Sequence, residues 1–123
     1  MSSKPLVEPH FGSVPKELII EDVTVGDGDE AVTGSTAVVH YVGISASSGA
    51  QFDASWDRNE TFSFALGSGM VIQGWDKGVV GMKVGGRRRL VIPSHLAYGD
   101  RGAGGVIQPG EALIFIVDLV EVR

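Results

Sequence analysis

Eighteen of the 123 residues are glycine, about twice the ~7% share of an ordinary chain. No other feature constrains the fold as much. Glycine weakens the interior of helices and strands and reaches backbone conformations closed to other residues, so a chain this rich in it is built from short elements joined by tight turns or close backbone approaches. The runs between the glycines agree. Leu18 to Val25, Ala37 to Ile44, Thr61 to Leu66, Arg87 to Ile92 and Ala112 to Val122 are dominated by strand-forming residues and read as five strands. Gly26-Asp27-Gly28, Ser47-Ser48-Gly49 and the segment from Asp100 to Gly105 have turn and loop chemistry. One segment has helical period instead: Val71, Trp75 and Val79 recur at i, i+4 and i+8 with Gln73, Asp76 and Lys77 opposite, which predicts a short amphipathic helix stopping at Gly81. Gly74 inside it costs about 1 kcal/mol relative to alanine, so it implies a close neighbour or a weak helix.

Many strands and one apolar-faced helix predict an antiparallel sheet closing over that helix, an α+β domain. The last run is apolar on both parities over its first half and belongs at the centre of the sheet. In Ala37 to Gly43, Tyr41 points inward and His40 outward. Residues 1–16 carry Pro5, Pro9 and Pro15 and read as a flexible tail before a single domain over 17–123. There is no signal-peptide core and no stretch near the ~18 apolar residues of a membrane span, so a cytoplasmic protein with no membrane contact is expected.

Charge and residue usage exclude several chemistries. Ten Lys and Arg against fifteen Asp and Glu leave a net charge of -5, which argues against a nucleic-acid partner. The absence of cysteine removes disulfides, thiolate zinc sites and cysteine nucleophiles together. His10, His40 and His95 lie far apart with no metal-ligand spacing, so no metal is expected. Gly67-Ser68-Gly69 has Ile72 where a dinucleotide-binding turn needs glycine, and Asp27-Gly28-Asp29 lacks the remaining ligands of a calcium loop. Arg87-Arg88-Arg89 lies in a strand, where its side chains alternate faces, and reads as a charged sheet surface. What remains is an aromatic set, Tyr41, Phe52, Phe62, Trp75, Tyr98 and Phe115, several of them near glycine-rich loops. Pattern alone leaves two readings open, a packed core or an apolar pocket with a few polar fixings.

Six motifs in order, His40-Tyr41-Val42-Gly43, Phe52-Asp53, Val71-Ile72-Gln73-Gly74-Trp75, Gly81-Met82-Lys83-Val84-Gly85, Ala97-Tyr98-Gly99 and Gly105-Val106-Ile107-Gln108-Pro109, resemble those of the FKBP family, the macrolide-binding peptidyl-prolyl isomerases. The resemblance spans about residues 17–123. It implies a twisted sheet wrapped around the helix with a pocket between them, and an enzyme that accelerates rotation about X-Pro bonds in proline-containing polypeptides without a cofactor; the lack of heptads or of an unpaired apolar element makes a monomer the expectation. It also implies that macrolides such as tacrolimus and rapamycin bind in the same place. Carried over residue by residue, Trp75 forms the floor, Tyr41, Phe62, Val71, Ile72 and Phe115 the walls, and Phe52 one side. Tyr98 offers its hydroxyl and Ile72 its backbone N–H to a ligand, Met70 its carbonyl, and Ile107 joins the binding set. Tyr98, Asp53, Phe52, Ile72, Phe115 and Trp75 are the implied catalytic group. Asp53 beside Tyr41 and Arg58 is either a polar brace or a direct participant. Two departures stand out: Ala103-Gly104 where relatives often carry a bulky residue and proline, and Thr61 where proline is common. The first leaves room for a binding module of the same fold, an adaptor or chaperone with little turnover.

Overall fold

The structure, a computed structural model, describes residues 4, 5, 7, 16–102, 107 and 109–123. Its main elements in chain order are β1 (Ile19–Thr24), β2 (Thr36–Ser45), β3 (Gln51–Ala54), β4 (Phe62–Ala65), α1 (Gln73–Gly78), β5 (Arg87–Ile92) and β6 (Leu113–Val122). All strand pairs are antiparallel, in the order β1-β5-β6-β2-β3, with β4 beside the first half of β2. The doubly apolar run is indeed central: β6 lies between β5 and β2, and Leu113 to Leu119 are all buried. No helix among the described residues is long and apolar enough to cross a membrane.

The sheet has six strands where the sequence predicts five. The additional one, β3, carries two polar residues and a single large apolar one in four positions, too little to show a period. Pairing with β2 makes it a strand, Val42 opposite Ala54 and Gly43 opposite Asp53, with the register shifting before Ile44 meets Gln51. Helix α1 is shorter than its apolar stripe. Ile72 precedes it, Val79 closes it, and Gly81, expected as the stop, stands beyond the end at φ +91°, donating its N–H to the Ala31 carbonyl.

Two glycines one helical turn apart set how closely α1 lies on the sheet. A Cβ at Gly74 would stand 2.5 Å from the Ile92 side chain, and one at Gly78 would stand 2.8 Å from that of Leu90. Leu90 and Ile92 are fully buried on one face of β5, so glycine is what lets the helix rest directly on them. Arg88 shares that face and donates to the Gly78 and Val80 carbonyls at 2.9 and 3.1 Å, closing the C-terminal end of α1. The arginine triplet is therefore more than a charged surface. Arg88 also pairs with Asp22 and Arg89 with Glu21 across β1, while Arg87 reaches the buried Asp118 of β6 at 2.6 Å.

The opposite face of the sheet buries Ile44, Val91 and Ile114, with Val7 packed on them. Lys4 pairs with Asp57 at 2.8 Å. These are described residues of the segment read as a tail; His10 and the Ala103-Gly104 pair lie outside the described residues.

Gly74→Ala should destabilise the protein by about 1–3 kcal/mol through overpacking against Ile92, despite the ~1 kcal/mol that alanine gains in a helix. Thermal unfolding measures the balance, and a raised midpoint would show that the helix has slack on the sheet.

Candidate active site

On its α1 side the sheet leaves a cavity of about 410 Å³, lined by aromatic and aliphatic side chains with Asp53 as the charged member. Alternation along β2 and β6 builds its back wall. Tyr41 faces it, Gly43 follows on the same side, and Phe115 of β6 is registered opposite Gly43. A Cβ on Gly43 would fall 2.6 Å from the Phe52 ring and 2.7 Å from that of Phe115, so the missing side chain seats both phenylalanines. Their rings meet edge to face at 5.5 Å.

Trp75 projects from α1 into the middle of this set. Its ring lies 5.0 Å from Tyr41, 5.2 Å from Phe115, 5.6 Å from Phe64 and 6.0 Å from Phe62, three of the four contacts edge to face. It is 4% exposed, and its indole N–H finds no acceptor among the described residues. The two readings of the aromatics thus hold together. Tyr41, Trp75 and Phe115 are core residues that also form the cavity floor.

The polar members fall into two groups. Tyr41, Asp53 and Arg58 form a closed triangle: the Tyr41 hydroxyl donates to Asp53 Oδ2 at 2.5 Å and accepts from Arg58 at 3.0 Å, while Arg58 donates to Asp53 Oδ1 at 2.6 Å. Burial pushes the Asp53 carboxyl up, but the hydrogen bonds from Tyr41 and Arg58 and the guanidinium charge outweigh it and hold the group below its ordinary range. For Tyr41, burial and the adjacent carboxylate raise the phenol. Both Asp53 oxygens are occupied. The second group is unpaired. The Tyr98 hydroxyl and the Ile72 N–H have no hydrogen-bond partner among the described residues. Burial, then the charge of Asp53, raises the Tyr98 phenol, so it carries its proton and can donate.

Of the twelve residues expected in the binding set, ten line the cavity. Arg58 stands behind Asp53 and Tyr41, and Ile107, 5% exposed, is packed into the core instead. Met70 sits on the rim, 64% exposed. Two supporting residues escape sequence reasoning. Asp76 of α1 accepts the N–H groups of Gly67 and Gly69 at 2.9 and 3.0 Å, tying the helix to the turn that leads into Met70, Val71 and Ile72. Ser55 accepts the Tyr41 N–H at 2.7 Å and bonds His40 Nδ1 at 2.8 Å, while the His40 ring stacks on Trp56 at 4.1 Å. An acidic residue soon after a Gly-Ser-Gly turn was a possible signal for the first; the second depends on β3 and the 3-10 turn that follows it.

Such a site can enclose an apolar ring and fix a neighbouring carbonyl with two donors, an arrangement suited to a class of protein that acts without covalent chemistry. Comparison with known proteins makes the class specific. Residues 28–120 match the family model described as FKBP-type peptidyl-prolyl cis-trans isomerase. The chain is 59% identical over 120 residues to the FK506-binding protein of Streptomyces anulatus, covering 97% of each. It is 47% identical over 108 residues to the peptidyl-prolyl cis-trans isomerase FPR2 of Saccharomyces cerevisiae, covering 88% of this chain and 77% of that one. The crystal structure of AtFKBP13 aligns with a TM-score of 0.80 at 40% identity, over 89% of this chain and 96% of the other. The chain belongs to the FKBP-type peptidyl-prolyl cis-trans isomerases and is an enzyme of that kind.

The triangle has a pH signature. A carboxyl held below its ordinary value contributes stability above that value and loses it as pH falls through the depressed one. Because the Asp53 side chain is 39% exposed, Asp53→Asn should cost no more than about 1 kcal/mol at neutral pH. The deficit should shrink as pH falls below the ordinary 3.8 and vanish once it is below the depressed value, and denaturant titrations of both proteins across that range would reveal a constant deficit if the carboxylate were not responsible.

Proposed function

We propose that the cavity is where isomerisation occurs, that it receives the proline of an extended polypeptide, and that macrolides such as tacrolimus and rapamycin compete for the same space. The observation that carries this reading is the pairing of a buried aromatic floor, Trp75 with Tyr41 and Phe115, with two unengaged donors, the Tyr98 hydroxyl and the Ile72 N–H. The name of the Streptomyces relative supports the ligand class.

The chemistry asks for little more. An X-Pro amide rotates over a barrier of roughly 18–20 kcal/mol because resonance must be broken, and unaided it takes tens to hundreds of seconds. No covalent bond is cleaved and no electron moves, so neither nucleophile nor cofactor is called for. The planar amide is more dipolar than the twisted one, and transfer from water to an apolar cavity disfavours the planar ground state relative to the transition state. Each tenfold acceleration needs about 1.4 kcal/mol of that difference. Phe52, Trp75 and Phe115 supply the dry walls, and Tyr98 and Ile72 hold the carbonyls on either side of the rotating bond.

Asp53 acts as a positioning residue. With both oxygens engaged it fixes Tyr41 and the start of the following turn. The biological outcome of this activity is assisted folding of client chains, by a monomer in the cytoplasm.

An assay on a short X-Pro peptide should show acceleration that rapamycin abolishes; rapamycin binding without acceleration would instead assign the pocket to an adaptor or chaperone. Tyr98→Phe should lower kcat/KM about fivefold, the worth of one hydrogen bond of ~1 kcal/mol. Asp53→Leu should lose turnover together with melting temperature, and lost turnover at an unchanged midpoint would contradict the brace. Trp75→Ala costs about 3–5 kcal/mol of core packing, so its activity must be scaled to the folded fraction.

A further inference from the structure

A second cavity, of about 250 Å³, shares Phe52 as a wall with the first and is lined also by Ser45, Ser47, Ser48, Gln51 and Glu111. Its polar groups are only partly used. Glu111 Oε1 accepts both the Ser47 N–H at 3.1 Å and the Ser47 hydroxyl at 2.7 Å, whereas Oε2 has no partner among the described residues. Ser45 is 8% exposed, yet its hydroxyl makes no hydrogen bond to any described residue. Ser45 lines the cavity, so this hydroxyl is open to a group that enters it. None of the lining residues is cationic. Asp53, the carboxylate that lines the main cavity, is already spent on Arg58 and Tyr41.

We propose that this cavity is a subsite for a lysine or arginine side chain of the polypeptide substrate, carried within about two residues of the proline. The inference rests on reading the main cavity as the proline site. An extended chain advances ~3.3–3.6 Å per residue, so a polypeptide with its proline over Trp75 and running past Phe52 reaches the second cavity within that span. An ammonium has three donors and a guanidinium five. Either can engage Glu111 Oε2 and the Ser45 hydroxyl at once. The fixed orientation of the carboxylate lowers the cost of forming the pair, and the net charge of -5 favours cationic clients at longer range.

The test is a set of peptides of one sequence carrying lysine, alanine or glutamate at each of the two positions on either side of a single proline. Each is read both as kcat/KM and as affinity from tryptophan fluorescence. At one position lysine should exceed alanine about three- to tenfold and glutamate should fall below it, with the preference shrinking as salt is added. In Glu111→Gln, which keeps an acceptor for Ser47, the lysine-to-alanine ratio should collapse toward one, and Ser45→Ala should reduce it. A lysine preference at no position, or one unchanged in Glu111→Gln, overturns the subsite. If no peptide is accelerated, the proline-site reading falls, and the lysine-to-alanine affinity ratio decides the subsite alone.

Discussion

The close contact between α1 and β5 is the constraint from which the rest of the site follows. A six-residue helix has almost no stability of its own, because nucleation is costly and few intrahelical bonds repay it. It persists here because Gly74 and Gly78 bring its backbone onto Ile92 and Leu90, and because Arg88 from the same strand binds the carbonyls at its end. That approach puts Trp75 deep enough to meet four aromatic rings. Asp76, one residue on, then anchors the turn that carries the opposite rim. Floor and rim are thus set by two consecutive residues of one short helix.

Polarity inside such a basin is managed by closure. A carboxylate beside apolar walls is costly unless both oxygens are satisfied, and the Tyr41-Asp53-Arg58 triangle satisfies them while holding the hydroxyl of Tyr41, whose ring meets Trp75 edge to face. The unpaired donors, Tyr98 and Ile72, lie where the cavity opens. The distinction is functional: engaged groups hold the walls in place, and unengaged ones are left for whatever enters.

Much of this was legible in the sequence, for reasons that differ by element. β5 is visible residue for residue, and β6 to within one residue, because apolar runs bounded by turns leave a signal independent of tertiary context. β3 is not visible, because its four residues are strand only through pairing with β2. The helix stripe from Val71 to Val79 marks the right segment but overstates its length, since Val71 serves the rim instead. In the site, pattern alone could not separate core from pocket for Tyr41, Trp75 and Phe115, and the reason is physical: they are both. The family resemblance located ten lining residues. Ile107, also carried over by the resemblance, is packed in the core and is not among the residues that line the cavity, and the role of Asp76 depends on a contact that no period encodes.

The division between a rigid floor and an open rim bears on how such an enzyme distinguishes substrates. In the proposed mechanism rotation about an amide needs exclusion of water, supplied by the buried floor, and a fixed carbonyl, supplied by Tyr98 and Ile72, and these groups recognise only the ring and its backbone. The floor therefore cannot discriminate among clients, since every X-Pro unit presents it with nearly the same surface. On that reading discrimination falls to side chains at its edge, the exposed Met70 on the rim and Glu111 beyond Phe52. These positions sit on loops or turns, where substitution does not disturb the helix-on-strand contact that supports turnover. A carboxylate held by Ser47 at one end of that surface, on a chain with excess negative charge, biases an otherwise indifferent catalyst toward basic sequence.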